Sequence, residues 1–284
     1  MRIAIMQGRL VPPQAGQYQF FPIDRWQDEF PSAAEAGLDA IEWIYDLQGA
    51  DANPIATDDG IAAMRALSSR HAIAVTSLCA DYFMDRPFTK ATVEEFADLE
   101  ARLRWLLARC RAAGIQRVVL PFVDNSRIES PEQRSQVLAL LRKALPWAEA
   151  SGVEIHLETS LDPTAFAGLL ANLPHPMLKV NYDSGNSSSL GYAVREELAA
   201  YGSRIGSVHI KDRIRNGGTV PLGTGSADIP ALLAGLAAIS YRGDYVLQAA
   251  RGAPGNELEW ARQNRAFLLE HLKSADALIC ASIG

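Results

Sequence analysis

The chain predicts an α/β fold of the (β/α)8 class, a closed parallel eight-stranded sheet with helices outside. Three observations predict it. A helix–glycine–strand phrase recurs in "AEAGLDAIEWI", "RAAGIQRVVLPF" and "EASGVEIHLE", with the glycine where a helix C-terminus turns left-handed. The strands after those glycines are near-continuous apolar runs, as parallel strands buried on both faces require. Eight such runs alternate with helical patterns over 284 residues, a length that suits one barrel. A doubly wound open sheet is the competing arrangement. No glycine-rich dinucleotide fingerprint follows the first strand, which favours closure.

The strands, in order, are "RIAIMQ" (2–7), "AIEWI" (40–44), "IAVTSLC" (73–79), "RVVLPFV" (117–123), "EIHLET" (154–159), "LKVNYD" (178–183), "SVHIKD" (207–212) and "DYVLQA" (244–249). Between them lie helices with recognisable ends. "TVEEFADLEARLRWLLARC" is amphipathic, with acids early and arginines late, matching the helix dipole. "SPEQRSQVLALLRKAL" opens with Ser130 as cap, Pro131 at the first helical position and Gln133 three residues after the cap. "DPTAFAGLLANL" starts behind Asp162 as N-cap. "ADIPALLAGLAAI" is shorter, and "NELEWARQNRAFLLEHL" closes the set. Residues 272–284 read as a C-terminal tail beyond that last helix. No linker or low-complexity run interrupts the chain, so residues 1–284 read as one domain.

Composition narrows the function. The chain is 48% hydrophobic and 21% charged, ordinary for a soluble globular protein. No apolar run approaches the roughly 18 residues of a membrane span. "MRIAIMQGRL" lacks a signal-peptide core and reads as the first strand. A net charge of -6 argues against a nucleic-acid partner, which wants a basic face. Cys79, Cys110 and Cys280 show no metal or disulfide spacing, which fits a reducing cytoplasm. A homo-oligomer stays open.

Chemistry in such barrels sits at the C-terminal strand ends. Those ends carry Gln7 and Arg9, Glu42, Cys79 and Asp81, Asp124 and Asn125, Glu158, Asp183, His209 with Lys211 and Asp212, then Gln248 with Arg251. Singly, each has an ordinary explanation. Glu158 reads as a helix cap, Asp183 in "YDSGN" as a turn, His209 as a buried core histidine. Jointly, Glu158, Asp183, His209 and Gln248 end four consecutive strands and offer the oxygen and nitrogen donors of a divalent cation site. His156 points to the same side as Glu158, but deeper in the barrel.

The set "HLETS", "NYDSGN", "SVHIKDR" and "PLGTGSADIPALLAGL…YRGDYVLQ" resembles the xylose isomerase-like TIM barrels, the sugar phosphate isomerase/epimerase superfamily, over essentially the whole chain. "MQGRLVPP" and "FPIDRWQDEFPSAAEAGLDAIEWI" resemble a bacterial branch of it and leave the substrate open. The resemblance implies one divalent metal ion held by Glu, Asp, His and Glu. Glu158, Asp183 and His209 match, and Gln248 stands where the last Glu is usual. An amide coordinates through its carbonyl oxygen but is no base at neutral pH. This puts in doubt the two-glutamate epimerisation that the resemblance implies.

The expected function is a metal-dependent isomerase or epimerase of a sugar or sugar phosphate, with manganese, magnesium, cobalt or zinc as the ion. The metal acts as a Lewis acid, and Glu158 removes the proton next to the carbonyl, giving an enediolate. A second acid/base is sought in Asp212, Lys211 or Glu42. Arg213, Arg251, Lys211 and the amides of "PLGTGS" suggest a phosphate site, or else a loop closing the mouth. Arg9, Glu42 and Asn186 are further substrate-binding candidates, with Arg9 alternatively paired to Glu42. Tyr18, Phe20, Phe21, Trp26 and Trp43 wall the pocket or belong to the core. A dehydratase is the alternative reaction. An endonuclease IV-like phosphoesterase ranks below it, since only His209 among five histidines clearly ends a strand. Gln248 also keeps a non-catalytic binding barrel in view.

Overall fold

In the computed structural model, which describes residues 1–13 and 18–283 with side chains to 275, eight parallel strands close into a barrel. They are β1 (Ile3–Met6), β2 (Ala40–Ile44), β3 (Ala74–Cys79), β4 (Arg117–Phe122), β5 (Glu154–Thr159), β6 (Leu178–Asp183), β7 (Ile205–Ile210) and β10 (Tyr245–Leu247). Sheet order follows the chain, and β10 pairs with both β1 and β7. A two-stranded antiparallel hairpin, β8 (Asp212–Arg213) with β9 (Thr219–Val220), stands at the mouth. Outside lie α1 (Glu29–Glu35), α2 (Asp58–His71), α3 (Tyr82–Asp85), α4 (Val93–Ala113) and α5 (Pro131–Ser151). They are followed by α6 (Pro163–Ala171), α7 (Ser184–Leu190), α8 (Val194–Tyr201), α9 (Ile229–Ala238) and α10 (Glu257–Ile283).

Local signals in the sequence are used as expected. Gly37, Gly114 and Gly152, the glycines of the recurring phrase, have φ of +73°, +84° and +66°. Ser130 and Gln133 form a reciprocal capping box, and Asp162 accepts from the Ala165 amide. Three boundaries differ. β7 starts at Ile205 and ends at Ile210, so Asp212 belongs to the hairpin rather than to the seventh strand. β10 ends at Leu247, and Gln248 follows it while still donating its amide to the Ile210 carbonyl at 3.0 Å. The expected tail is helical, because neither glycine nor proline interrupts 257–283 and a helix without a stop signal runs on. The side chain of Cys280, and Gly284, lie outside the described residues.

The two-residue period of each strand separates two environments. Outward residues such as Val118, Leu120, Ile155, Leu157 and Val208 are fully buried with Leu103, Leu106, Leu140 and Leu141 of the helices. The inward face on the β5–β7 side is polar instead. His156, Ser207 and Asn181 form one level, where His156 Nδ1 and Ser207 Oγ are 2.7 Å apart and Ser207 donates to Asn181 at 2.6 Å. One level nearer the mouth are Glu158, Asp183 and His209. The floor is closed by Asp244, which accepts from Arg117 and, at 3.0 Å, from Arg2. Among the described residues no helix is long and apolar enough to cross a membrane.

Between β1 and α1, Tyr18 and Gln19 reach the cavity at the mouth. Gly8 has φ +79°, and a Cβ there would stand 2.7 Å from the Phe20 carbonyl oxygen, so only glycine fits. The Glu29 carboxyl, wholly buried, accepts from the amides of Gly8 at 2.6 Å and Leu10 at 3.3 Å. Burial pushes its pKa up to about 8, although those amides act the other way. The folded protein therefore keeps a proton on Glu29 that the unfolded chain loses above about 4.5. Stability from this group is complete below that value and falls as pH rises toward about 8, at roughly 1.4 kcal/mol per pH unit. Glu29→Gln is expected to remove this slope. Chemical denaturation of wild type and variant from pH 5 to 9 checks it, and parallel curves would refute the assignment.

Candidate active site

Barrel closure gathers Glu158, Asp183 and His209 from adjacent strands, with Asp183 and His209 directly paired in the β6–β7 register. One ligand atom from each lies within 4.8 Å of the others, and all three residues are buried. His209 is oriented from behind. Its Nε2 stands 2.6 Å from Glu42 Oε1, and both side chains are fully buried. Glu42 accepts, so Nε2 carries a proton, and Nδ1 is left without a hydrogen-bond partner, 3.4 Å from Glu158 Oε2. Burial opposes charge on the ring, but Glu42 and Glu158 prevail and push its pKa up to about 10.

Glu158 is held at both oxygens by amides. Asn181 Nδ2 donates to Oε2 at 2.8 Å and Asn186 Nδ2 to Oε1 at 2.6 Å. Burial works to raise its pKa, yet His209 and Lys211 keep it below the usual carboxylate range. Asp183 Oδ1 caps α7 by accepting the Asn186 amide at 2.8 Å, and Oδ2 lies 3.4 Å from Lys211 Nζ. Its pKa is raised by burial against the pull of Lys211. Gln248 donates from Nε2 to Gln19 Oε1 at 3.0 Å, while its buried Oε1 has no partner.

These residues fit a divalent cation. Two carboxylates, a buried imidazole nitrogen and a buried amide oxygen, the last two without hydrogen bonds, are the hard and borderline donors such an ion takes. Glu42 behind His209 is the outer partner that a ligating histidine commonly has. A solvent-open cavity of about 120 Å³ adjoins the cluster, lined among others by Gln19, Asp81, Glu158, Asn186, Lys211 and Gln248.

Several residues expected at the substrate are occupied elsewhere. Glu42 neither lines the cavity nor pairs with Arg9, because its inward position on β2 places it against His209. Asp212 is wholly buried and accepts from the amides of Gly223, Gly225 and Ala227 at 2.9–3.0 Å. It therefore fills the "PLGTGS" cradle expected to take phosphate, and is no free acid/base. Arg251 donates to the carbonyls of Gly8, Val11 and Tyr18. Arg9 donates to Ala249 O, Tyr18 O and Gln19 Oε1. Both straps secure the mouth segment. Arg213 stands behind Asn186, bonded to its Oδ1 at 2.9 Å and to the Gly217 carbonyl. Of the aromatics, Phe21, Trp26 and Trp43 pack together with centroids 5.6 Å apart about Trp43. Phe20 lies buried under Arg251, and Tyr18 alone of the five lines the cavity.

Sequence reasoning missed Gln19, which bridges Gln248 to Asp81 Oδ2 by donating at 2.6 Å. It sits in an aperiodic loop, where no pattern marks it. Asn181 was findable, since it shares the inward face of β6 with Asp183.

The family model for xylose isomerase-like TIM barrels matches residues 30–271. No curated protein matches the chain in sequence. Solved structures are similar in fold. D-psicose 3-epimerase with D-tagatose from Clostridium cellulolyticum H10 is 16% identical with a TM-score of 0.76, covering 96% of this chain and 99% of that one. An L-ribulose 3-epimerase is 18% identical with a TM-score of 0.77, covering 100% and 98%. A xylose isomerase-like TIM barrel protein from Mycobacterium smegmatis, in complex with magnesium, is 17% identical with a TM-score of 0.70, covering 96% and 97%.

Asp212 offers a direct check on the site's outline. Asp212→Ala removes the shared acceptor of three part-buried loop amides and is expected to cost about 1–2 kcal/mol of stability. Hydrogen exchange should quicken at Gly223, Gly225 and Ala227, while affinity for a divalent cation stays within about twofold. A large loss of cation binding with unchanged exchange would place Asp212 in the site after all.

Proposed function

The chain belongs to the xylose isomerase-like TIM barrel family, and from that premise we propose that it is a divalent-metal-dependent isomerase or epimerase of a small sugar. The observation that carries this is Glu158, a buried carboxylate held ionised, fixed at both oxygens and bordering a cavity beside metal donors. Abstraction of a proton next to a carbonyl needs such a base, placed before the substrate arrives.

Glu158, Asp183, His209 and Gln248 Oε1 would hold the cation. When bound, it supplies Lewis acidity toward a carbonyl oxygen and a neighbouring hydroxyl. Glu158 takes the proton, and the substrate becomes an enediolate. Asn181 and Asn186 fix the direction of the carboxylate. Lys211 Nζ, buried near Asp183 and Asn186 on the cavity wall, places a positive charge where the substrate oxygens gain negative charge. Gln248, without a titrating proton, contributes an oxygen acceptor rather than a second base.

The substrate favoured is an unphosphorylated sugar. Asp212 occupies the loop amides, while Arg9 and Arg251 are bound to backbone carbonyls. Cations spent inside the protein are poor phosphate receptors, because recruiting them strands their present partners.

The purified protein is expected to carry about one divalent ion per chain, lost in Glu158→Ala. Glu158→Gln should lower turnover by about 10²–10⁴-fold. Deuterium wash-in from solvent into ketoses and their phosphates, read by NMR, decides both points. Exchange with phosphates alone would sink the substrate assignment, and exchange with neither would sink the reaction class.

A further inference from the structure

We propose that Asp81 is the second proton-transfer group of this site, returning a proton to the substrate from a different wall of the cavity than Glu158. This rests on the proton-transfer reading above. Asp81 follows the end of β3, is buried, and lines the cavity with Glu158. Pro121 and Val123, from β4 and the residue beyond it, line the wall between the two.

Its partners set it apart from the other carboxylates of the barrel interior. Glu158 and Asp183 face His209 and Lys211, and Glu42 faces His209. Asp81 instead takes hydrogen bonds from neutral groups, Gln19 Nε2 at 2.6 Å and Cys79 Sγ at 3.1 Å. The charged or titratable groups facing it are Cys79 on its own strand, Arg9 and Asp46 from neighbouring loops, and Glu158 across the cavity, with Lys211 and Asp124 farther along the wall. Burial, aided by Asp46 and Glu158, pushes its pKa up to about 6, with Gln19 and Cys79 acting against the rise. Both protonation states are then accessible near neutrality, as a group that gives a proton in one direction and takes it in the other requires. Glu158, held ionised, and Asp81, poised, form a pair of carboxyls whose environments separate their roles.

Gln248 belongs to the same device. Arg9 Nη2 and Gln248 Nε2 both donate to Gln19 Oε1, so the Gln19 amide must turn its NH₂ toward Asp81. The strand-end amide therefore keeps Asp81 supplied with a donor, and the acid absent at position 248 is present at 81.

The step balances as follows. Ionised Glu158 takes the proton from the carbon next to the carbonyl, and the C–H electron pair becomes the C=C bond of the enediolate. Protonated Asp81 then gives its proton to that carbon from its own wall, the C=O bond re-forms, and the centre is inverted. Glu158 ends protonated and Asp81 ionised, and exchange with solvent resets both.

The test uses the full-length, metal-loaded protein and a ketose that wild type converts. Asp81→Asn should lower net epimer formation by about 100-fold or more, while deuterium wash-in at the starting configuration stays within about fivefold. The limb of the kcat/KM profile near pH 6 should vanish. Metal content and near-UV circular dichroism should match wild type. Glu158→Gln should lose wash-in and conversion together. Gln19→Met perturbs Asp81 from outside, and removing its donor should move that limb to higher pH. Conversion by Asp81→Asn within about threefold of wild type, or equal loss of wash-in and conversion, overturns the proposal. So does an unmoved limb in Gln19→Met. Absence of wash-in in wild type with every ketose overturns the underlying reading and this one with it, and is seen without any variant.

Discussion

The 2.6 Å bond between Glu42 and His209 is the constraint on which the site rests. It spans the barrel interior from β2 to β7, so it forms only when the sheet closes. A lone charge at that depth would be costly, by several kcal/mol even after relaxation, and each partner makes the other tolerable. The bond also fixes the orientation of the ring. Nε2 is committed to Glu42, and Nδ1 turns toward Glu158 and Asp183. Without it the ring is free to rotate, and the cluster loses its nitrogen donor. Fold and site are thus linked through one buried pair.

The architecture was legible because its signals are local. A glycine after a helix, an apolar run and a capping serine each act within a few residues, and the structure uses Gly114, Gly152 and Ser130 as the sequence implies. The cluster of Glu158, Asp183 and His209 was legible for a related reason, since strand periodicity and barrel order place those positions together. Roles set by a distant partner were not legible. Glu42 and Asp212 look alike in sequence, each an acid at a strand end. One meets an imidazole and the other three amides, and nothing near either in the chain distinguishes them. Arg251 looked like a phosphate receptor for the same reason, although its fork is filled by carbonyls of a loop more than two hundred residues away.

That loop explains why so much charge at the mouth goes to structure. The carbonyls of Gly8, Val11 and Tyr18 lie outside the sheet and need donors. Arg9 and Arg251 supply them from either end of the chain, and Glu29 takes the amides. The result places Gln19 on the cavity wall. A charged substrate group would have to compete with these bonds. The proposed preference for an unphosphorylated sugar rests on how the protein closes its own mouth.

Charge balance gives the amide at position 248 its meaning. A bound cation would displace the Nδ1 proton that Glu42 and Glu158 otherwise favour on His209. Among Glu158, Asp183, the then neutral His209 and Gln248, a dication would be met by two carboxylates, so that the set sums to zero. A third carboxylate at 248 would leave the site negative, opposing the negative charge that develops on the substrate oxygens. Moving the remaining acid to Asp81, beyond the ligands but on the same cavity, separates metal binding from proton return. In the proposed cycle Glu158 gains a proton while the substrate oxygens gain negative charge, and Asp81 then changes charge at a distance from the ligands. Gln19 joins the two halves, since its carbonyl answers Gln248 and its amide answers Asp81. An amide in place of a carboxylate therefore signals a redistribution of the same chemistry over three side chains, carried by hydrogen bonds whose directions Arg9 and Gln248 fix.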